Sequence, residues 1–210
     1  MNLHSLFLGG LTGYLIGSIP FAYIITKRRV GLDVRRHGSG NVGATNAYEV
    51  SGKKSVGGTV FALDFLKGLI PVLCFAWLGW YDPMLVLLPA LILGHCYPVW
   101  LGFHGGRGLA TTAGAILVVN PAMLAIWCGV FLLTKKVKNQ VHFAATVATL
   151  FSIGLLVLLP SELLQATTLQ FSGLAQQPSD LTRSAIVTLV LILSRHIEPL
   201  LSLMKQRKNS

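Results

Sequence analysis

The sequence predicts an all-α integral membrane protein with seven transmembrane helices, some of them short, a periplasmic N-terminus and a cytoplasmic C-terminus. Three observations predict it: composition, the length of the apolar runs, and the placement of the cations. Of 210 residues, 53% are hydrophobic and only 11% charged, and the mean hydropathy is +0.66. These values lie far outside the range of a water-soluble domain. Six apolar runs approach or reach the ~20 residues that cross a bilayer as a helix. Lysines and arginines gather in short stretches beside these runs: Lys27-Arg28-Arg29, Arg35-Arg36, Lys53-Lys54, Arg107, Lys135-Lys136-Lys138 and Lys205-Gln206-Arg207-Lys208. The positive-inside rule asks that all of them be cytoplasmic. The net charge of +10 is therefore a topology signal, and no basic face with interleaved aromatics points to nucleic acid.

The first helix, 3–25, has no basic leader and no small-x-small cleavage site, so it reads as retained rather than as a secretion signal. Gly9, Gly13 and Gly17 recur on it at spacing four, which suits close approach of another helix. A cytoplasmic loop over 26–54 comes next, then helices 56–80 and 84–103 around the turn Tyr81-Asp82-Pro83. The run after Arg107 is too long to be one helix under the charge rule, because Lys135, Lys136 and Lys138 would land opposite Arg107. Asn120-Pro121 supplies a break. Splitting there gives short helices 108–119 and 121–134, and all the clustered cations fall on one side. Helix 141–159, an outer connection with the Gln/Ser/Pro-rich stretch 165–180, and helix 184–204 complete a single domain over 1–210. Cys74, Cys96 and Cys128 lie singly inside apolar runs, so neither a zinc site nor a disulfide framework is indicated and they read as packing residues.

Ionisable groups inside apolar runs are costly and face a cavity or a partner. Asp64, Lys67, His95, Arg195 and His196 all fall on the order of 12 Å below the inner surface at helical rise. That agreement predicts one polar pocket open to the cytoplasm. Asp64 and Lys67 are also placed to neutralise each other on one helical face.

Above that depth lies His37-Gly38-Ser39-Gly40-Asn41-Val42-Gly43-Ala44-Thr45-Asn46. Gly38, Gly40 and Gly43 let the backbone turn and aim amides at phosphate oxygens, while Ser39, Asn41, Thr45 and Asn46 add donors. Lys53 and Lys54 stand close behind the loop. A second loop, Gly105-Gly106-Arg107-Gly108, precedes a new helix whose N-terminus favours anions. Two loops of this kind suit two phosphate groups, or one phosphate clamped from both sides.

Gly38-Ser-Gly-Asn-Val-Gly-Ala-Thr-Asn46, Asp64-Phe-Leu-Lys-Gly68, Gly94-His-Cys-Tyr-Pro-Val99, Phe103-His-Gly-Gly-Arg-Gly-Leu-Ala-Thr111 and Arg195-His196 together resemble the bacterial acyl-phosphate-dependent glycerol-3-phosphate acyltransferases, the PlsY family. The resemblance in order and spacing covers nearly the whole chain. It implies seven helices in the bacterial inner membrane, with motifs on the cytoplasmic side. It also implies acyl transfer from acyl phosphate to the first hydroxyl of glycerol 3-phosphate, without covalent intermediate, metal or cofactor. On this resemblance Ser39 and the amides of Gly38 to Asn41 hold the acyl phosphate, and Arg107 with neighbouring lysines takes the acceptor phosphate. His196 would hydrogen-bond a reacting oxygen, Asp64 and Lys67 would brace the pocket, and His95 would support it. Membrane lipids are the other expected partners, with no nucleic acid and no specific protein. The chain departs from the family pattern at Glu49, where arginine is usual, Arg107 for lysine, Lys138 for serine, and Pro199 for asparagine. These departures raise two alternatives on the same fold: an acyltransferase with a different acceptor, or a non-catalytic relative that binds acyl phosphate or lipid.

Overall fold

A computed structural model describes residues 2–168 and 178–208 of the chain. Among the described residues the regular structure is entirely helical, in ten α-helices joined by two short 3₁₀ turns.

Helix α1 (Leu3–Gly17) starts at Asn2, whose side-chain oxygen accepts the His4 N–H at 3.1 Å. The helix expected over 3–25 does not run through: α2 (Phe21–Val30) is a separate piece. Pro20 has no N–H to continue the ladder and disfavours helical geometry at Ile19. Gly31, at φ 73°, closes α2 in the left-handed region, and Lys27, Arg28 and Arg29 occupy its last turn, where the helix dipole favours cations. The expected loop then contains α3 (Ala44–Ser51) before α4 (Lys54–Trp77) and α5 (Tyr81–Cys96). Asn120 caps the break foreseen at 120–121: its Oδ1 accepts the Met123 N–H at 2.9 Å, and Pro121 takes the first helical position of α7 (Pro121–Val137) after α6 (Leu109–Val119). Next come α8 (Val141–Leu158) and a short α9 (Ser161–Thr167) inside the expected outer connection. Finally α10 (Pro178–Lys208) extends beyond the predicted 184–204 at both ends. Part of the Gln/Ser/Pro-rich stretch 165–180 lies outside the described residues.

Four stretches, Leu3–Val30, Lys54–Trp77, Tyr81–Leu101 and Val141–Leu158, are long and apolar enough to cross a membrane, and Leu109–Val119 is a shorter apolar helix. Phe7, Phe61, Ile70 and Leu150 lie exposed along them. Such surfaces suit contact with hydrocarbon rather than water. None of the three cysteines is in a disulfide; Cys96 packs inside, whereas Cys74 and Cys128 are exposed.

The chain divides into two compact units, Met1–Val118 and Val119–Ser210. In the first, α1 lies along α5 through its glycine stripe: a Cβ on Gly9 or Gly17 would strike the Pro83 or Leu91 carbonyl. Likewise Gly68 of α4 meets the Thr111 carbonyl of α6, and Gly114 of α6 meets that of Phe65. Small residues thus let the helices pack backbone to backbone. At the loop end, Ala22, Val34, Val42, Ala47, Val56 and Val60 form one core that joins α2, α3 and α4. In the second unit α7 and α10 pack on α8, and Trp127 Nε1 donates to Thr149 Oγ1 at 3.2 Å.

Candidate active site

The first glycine loop rests on a fixed turn. Asp33 caps Val34–Arg36 by accepting the Arg35 N–H at 3.0 Å, and its carboxylate takes the Arg35 guanidinium at 3.0 and 2.7 Å. The hydrogen-bonded guanidinium holds the Asp33 carboxyl down to about 2. Arg35 lies over the Tyr23 ring at 4.8 Å, while Arg36 stays exposed. Gly38 and Gly40 then adopt φ 61° and 69°, conformations that side chains resist.

Asn46 ties the loop together from within. It is 1% exposed; its Oδ1 accepts the Ser39 N–H at 3.0 Å, and its Nδ2 faces the carbonyls of Val34, His37 and Asn41 at 2.9, 3.2 and 3.0 Å. The expectation that Asn46 donates to phosphate is therefore corrected: its carboxamide is committed to the loop itself. The Gly40 N–H turns back to the His37 carbonyl at 3.1 Å, so it too folds the loop. The loop presents outward Gly38, Ser39 and Thr45, all exposed, with Asn41 and Gly43 half-buried. Lys53 is exposed at the start of α4, and Glu49 is exposed one helical turn beyond Thr45, on the same side of α3.

Beneath lies a buried ionic cluster in which Asp64, Lys67 and His95 are 2%, 6% and 7% exposed. Lys67 Nζ is 2.8 Å from Asp64 Oδ1 and donates to the Ile19 carbonyl at 2.9 Å. That carbonyl is available because the α1–α2 break leaves it outside a helix ladder. Phe21 presents its ring to the same ammonium at 5.5 Å. His95 Nδ1 lies 3.6 Å from Asp64 Oδ1 and 3.2 Å from Thr111 Oγ1. Lys67 thus neutralises Asp64 and braces the helix break. A small crevice between Ser18, Phe21, Val42, Asp64, Lys67 and His95 connects the cluster to the underside of the first loop.

The second loop folds back on α5. Gly105 N–H donates to the Cys96 carbonyl at 3.0 Å and Gly106 N–H to the His95 carbonyl at 3.1 Å. Both N–H groups are thus engaged by α5. A Cβ on Gly106 would strike both the His95 ring and the Val42 carbonyl, so this position is where the two glycine loops meet. Arg107, half-buried, comes directly after and leads through Gly108 into α6. Phe103 was not singled out by the sequence; it is exposed and takes φ 64°, an uncommon conformation for an aromatic residue.

In the second unit His196 is 1% exposed, with Nδ1 at 2.9 Å from the Ile192 carbonyl. Since a carbonyl only accepts, that contact places a proton on Nδ1. The His142 ring lies 5.7 Å away, tilted by 56°. Sequence reasoning passed over His142; its one signal was a histidine at the start of an apolar helix just after Lys135, Lys136 and Lys138. Lys138 stands 3.9 Å over the Phe143 ring, a cation–π contact. Arg195 is half-buried beside His196, and Pro199 sits inside α10, where it removes the N–H that would reach the Arg195 carbonyl. Ser39, Arg107 and the buried cluster thus belong to the first unit, and Arg195 and His196 to the second.

These features define an all-helical protein built of membrane-length apolar helices, with paired glycine loops over a buried ionic cluster. The chain belongs to the glycerol-3-phosphate acyltransferase family, whose profile matches residues 7–206. It is similar to the glycerol-3-phosphate acyltransferase of Aquifex aeolicus (strain VF5), at 37% identity over 202 residues, covering 93% of this chain and 94% of that protein. It is 48% identical to glycerol-3-phosphate acyltransferase 4 of Dehalococcoides mccartyi (strain CBDB1) over 119 residues, 54% of this chain and 50% of that protein. The fold is similar to that of PlsY (YgiH), an integral membrane glycerol 3-phosphate acyltransferase crystallised in its glycerol 3-phosphate form. The TM-score is 0.78 at 35% identity, covering 97% of this chain and 94% of that one.

Proposed function

We propose that this chain is a multi-pass enzyme of the bacterial inner membrane that transfers an acyl group from acyl phosphate to the 1-hydroxyl of glycerol 3-phosphate, forming lysophosphatidic acid. The observation that carries the reading is the meeting of the two glycine loops at Val42 and Gly106, directly above the Asp64–Lys67–His95 cluster. Around them stand exposed Arg36 and Lys53, and half-buried Arg107, cations that attract phosphate esters.

In this reading the acceptor hydroxyl attacks the acyl carbonyl, the bond from carbonyl carbon to phosphate oxygen breaks, and inorganic phosphate leaves with the hydroxyl proton. The protein contributes placement and charge stabilisation. Ser39 and the outward backbone of Gly38 to Asn41 hold the acyl phosphate, with Gly43 and Thr45 at the rim. Arg107 and Lys53 take the acceptor phosphate; for Arg195 and His196 the family resemblance implies a phosphate contact and a hydrogen bond to a reacting oxygen. The seven crossings are α1, α4, α5, α6, α7, α8 and α10, with the N-terminus periplasmic, α2 and α3 on the cytoplasmic side, and the chain forming one domain.

Purified protein supplied with palmitoyl phosphate and labelled glycerol 3-phosphate tests the reading. Labelled lysophosphatidic acid is the expected product. A second reading, transfer to a different acceptor, is favoured by Glu49, whose exposed carboxylate lies one turn from Thr45 and opposes a phosphate dianion there. Under that reading glycerol 3-phosphate gives no product while an uncharged glycerol derivative does. Failure with every acceptor leaves the non-catalytic binding protein.

A further inference from the structure

The two edges of the His95 imidazole serve two different structures. On one edge Nδ1 faces Thr111 Oγ1 at 3.2 Å and Asp64 Oδ1 at 3.6 Å. On the other, Nε2 and Cδ2 stand where a Cβ on Gly106 would strike them, and the same Cβ would strike the Val42 carbonyl. The backbone of His95 holds the same glycine, since its carbonyl accepts the Gly106 N–H at 3.1 Å. Gly106 thus lies against both a ring of the second loop's anchor helix and a carbonyl of the first loop.

The ring is buried and contacted along its near edge. Thr111 and Asp64 fix its near edge, Asp64 is fixed by Lys67 at 2.8 Å, and Lys67 is tied to the Ile19 carbonyl at 2.9 Å. A continuous line of contacts therefore runs from the α1–α2 break, through Lys67, Asp64, His95 and Gly106, to Val42. Close-packed interiors transmit displacement along such lines instead of absorbing it.

We propose that His95 is a positioning residue that seats the two glycine loops as one body, so that donor and acceptor phosphates are held at a fixed separation. It touches neither substrate. The kinetic part of this inference rests on the function proposed above; the mechanical part does not. A histidine that merely fills the interior affects stability and its own neighbours, whereas a seat for both loops affects residues 38–46 as well.

The test compares wild type with His95→Ala, His95→Asn and Thr111→Val in detergent micelles, read by amide hydrogen exchange over 38–46 and by the KM for each substrate. Asparagine keeps a nitrogen near the Nδ1 position but removes the buttress behind Gly106. Thr111→Val frees the near edge of the ring at nearly constant volume, so it remains informative if His95→Ala does not fold. Expected are exchange over 38–46 and KM values for acyl phosphate and glycerol 3-phosphate that each rise about tenfold in His95→Ala and His95→Asn. Thr111→Val should shift all three in the same direction by less. Unchanged exchange over 38–46 in the folded variants, or a rise in one KM alone, overturns the coupling. If wild type turns over neither substrate the functional reading fails, and the exchange result alone decides the coupling.

Discussion

The Asn46 side-chain oxygen accepts the Ser39 N–H at 3.0 Å, so the shape of the first glycine loop is fixed from beneath by a residue seven positions later. Because the Asn46 nitrogen faces three more carbonyls at 2.9–3.2 Å, one buried carboxamide holds both limbs of the loop. Asn46→Ala orphans several buried backbone groups. It should cost roughly 1–3 kcal/mol of stability and, through loss of loop geometry, on the order of 10²-fold in turnover. Asn46→Asp should be worse, since a carboxylate then faces three carbonyl oxygens. Thermal unfolding in detergent beside turnover of the two proposed substrates checks both; an aspartate variant with wild-type behaviour refutes the scaffold role.

Ser39 is the counter-case. Its backbone is engaged, but its side chain is exposed at the loop tip and adds nothing to packing. Ser39→Ala should leave the unfolding temperature unchanged, as surface substitutions fall within about ±0.5 kcal/mol. Turnover should fall by about 10²–10³-fold if the hydroxyl stabilises the acyl phosphate in the transition state. An unaltered rate removes Ser39 from the site.

The two asparagines of the motif, Asn41 and Asn46, show how far the sequence could be read. Glycine spacing was enough to mark 37–46 as a tightly turned loop, and Asn120-Pro121 was legible as a helix break because proline and a capping residue act locally. Which amide faces inward is decided by a helix eight residues long, and nothing in the loop's own composition separates a donor kept for the fold from one kept for a ligand. The backbone partners of Gly105 and Gly106, carbonyls of Cys96 and His95 at the end of α5, are likewise invisible in the loop's own composition. The break at Ser18–Pro20 carries the same local signal in Pro20, but unbroken hydropathy across it outweighed that signal. His142 has meaning only once α8 and α10 are packed, which no local pattern encodes.

The buried pair gives a sharper stability test. Lys67→Met leaves Asp64 without its partner at 2.8 Å, and an uncompensated buried charge costs about 3–5 kcal/mol. Replacing both, Asp64→Leu with Lys67→Met, should recover most of that stability. It should not recover activity, because His95 loses its Asp64 contact as well. A double variant destabilised by the sum of Asp64→Leu alone and Lys67→Met alone would show that the charges act independently.

Asp33 supplies a pH prediction. Its carboxyl is held at about 2, against an ordinary 3.8, by hydrogen bonds from the Arg35 side chain. A carboxyl depressed in the folded state adds stability that is complete above about pH 4 and is lost as pH falls toward 2. Amide exchange at Arg35 and Arg36 should therefore be slower in wild type than in Asp33→Asn at neutral pH, by a factor that stays constant down to about pH 5. It should shrink between about pH 4 and about pH 2. A difference between the two proteins that persists unchanged below that range contradicts the assignment.

Glycines that look alike in the sequence separate by what surrounds them. A Cβ on Gly17 would collide with the Leu91 carbonyl across the α1–α5 contact, whereas one on Gly129 of α7 meets nothing within 4 Å. Gly17→Ala must push two backbones apart, and overpacking of this kind costs about 1–3 kcal/mol. Gly129→Ala restricts the unfolded chain and improves helix propensity, so it should stabilise by about 0.5–1 kcal/mol. Unfolding of the two variants in the same micelle should therefore shift in opposite directions. A destabilised Gly129→Ala means that α7 packs against something the isolated chain lacks, such as a second copy, and a neutral Gly17→Ala means that the glycine stripe does not set the α1–α5 spacing.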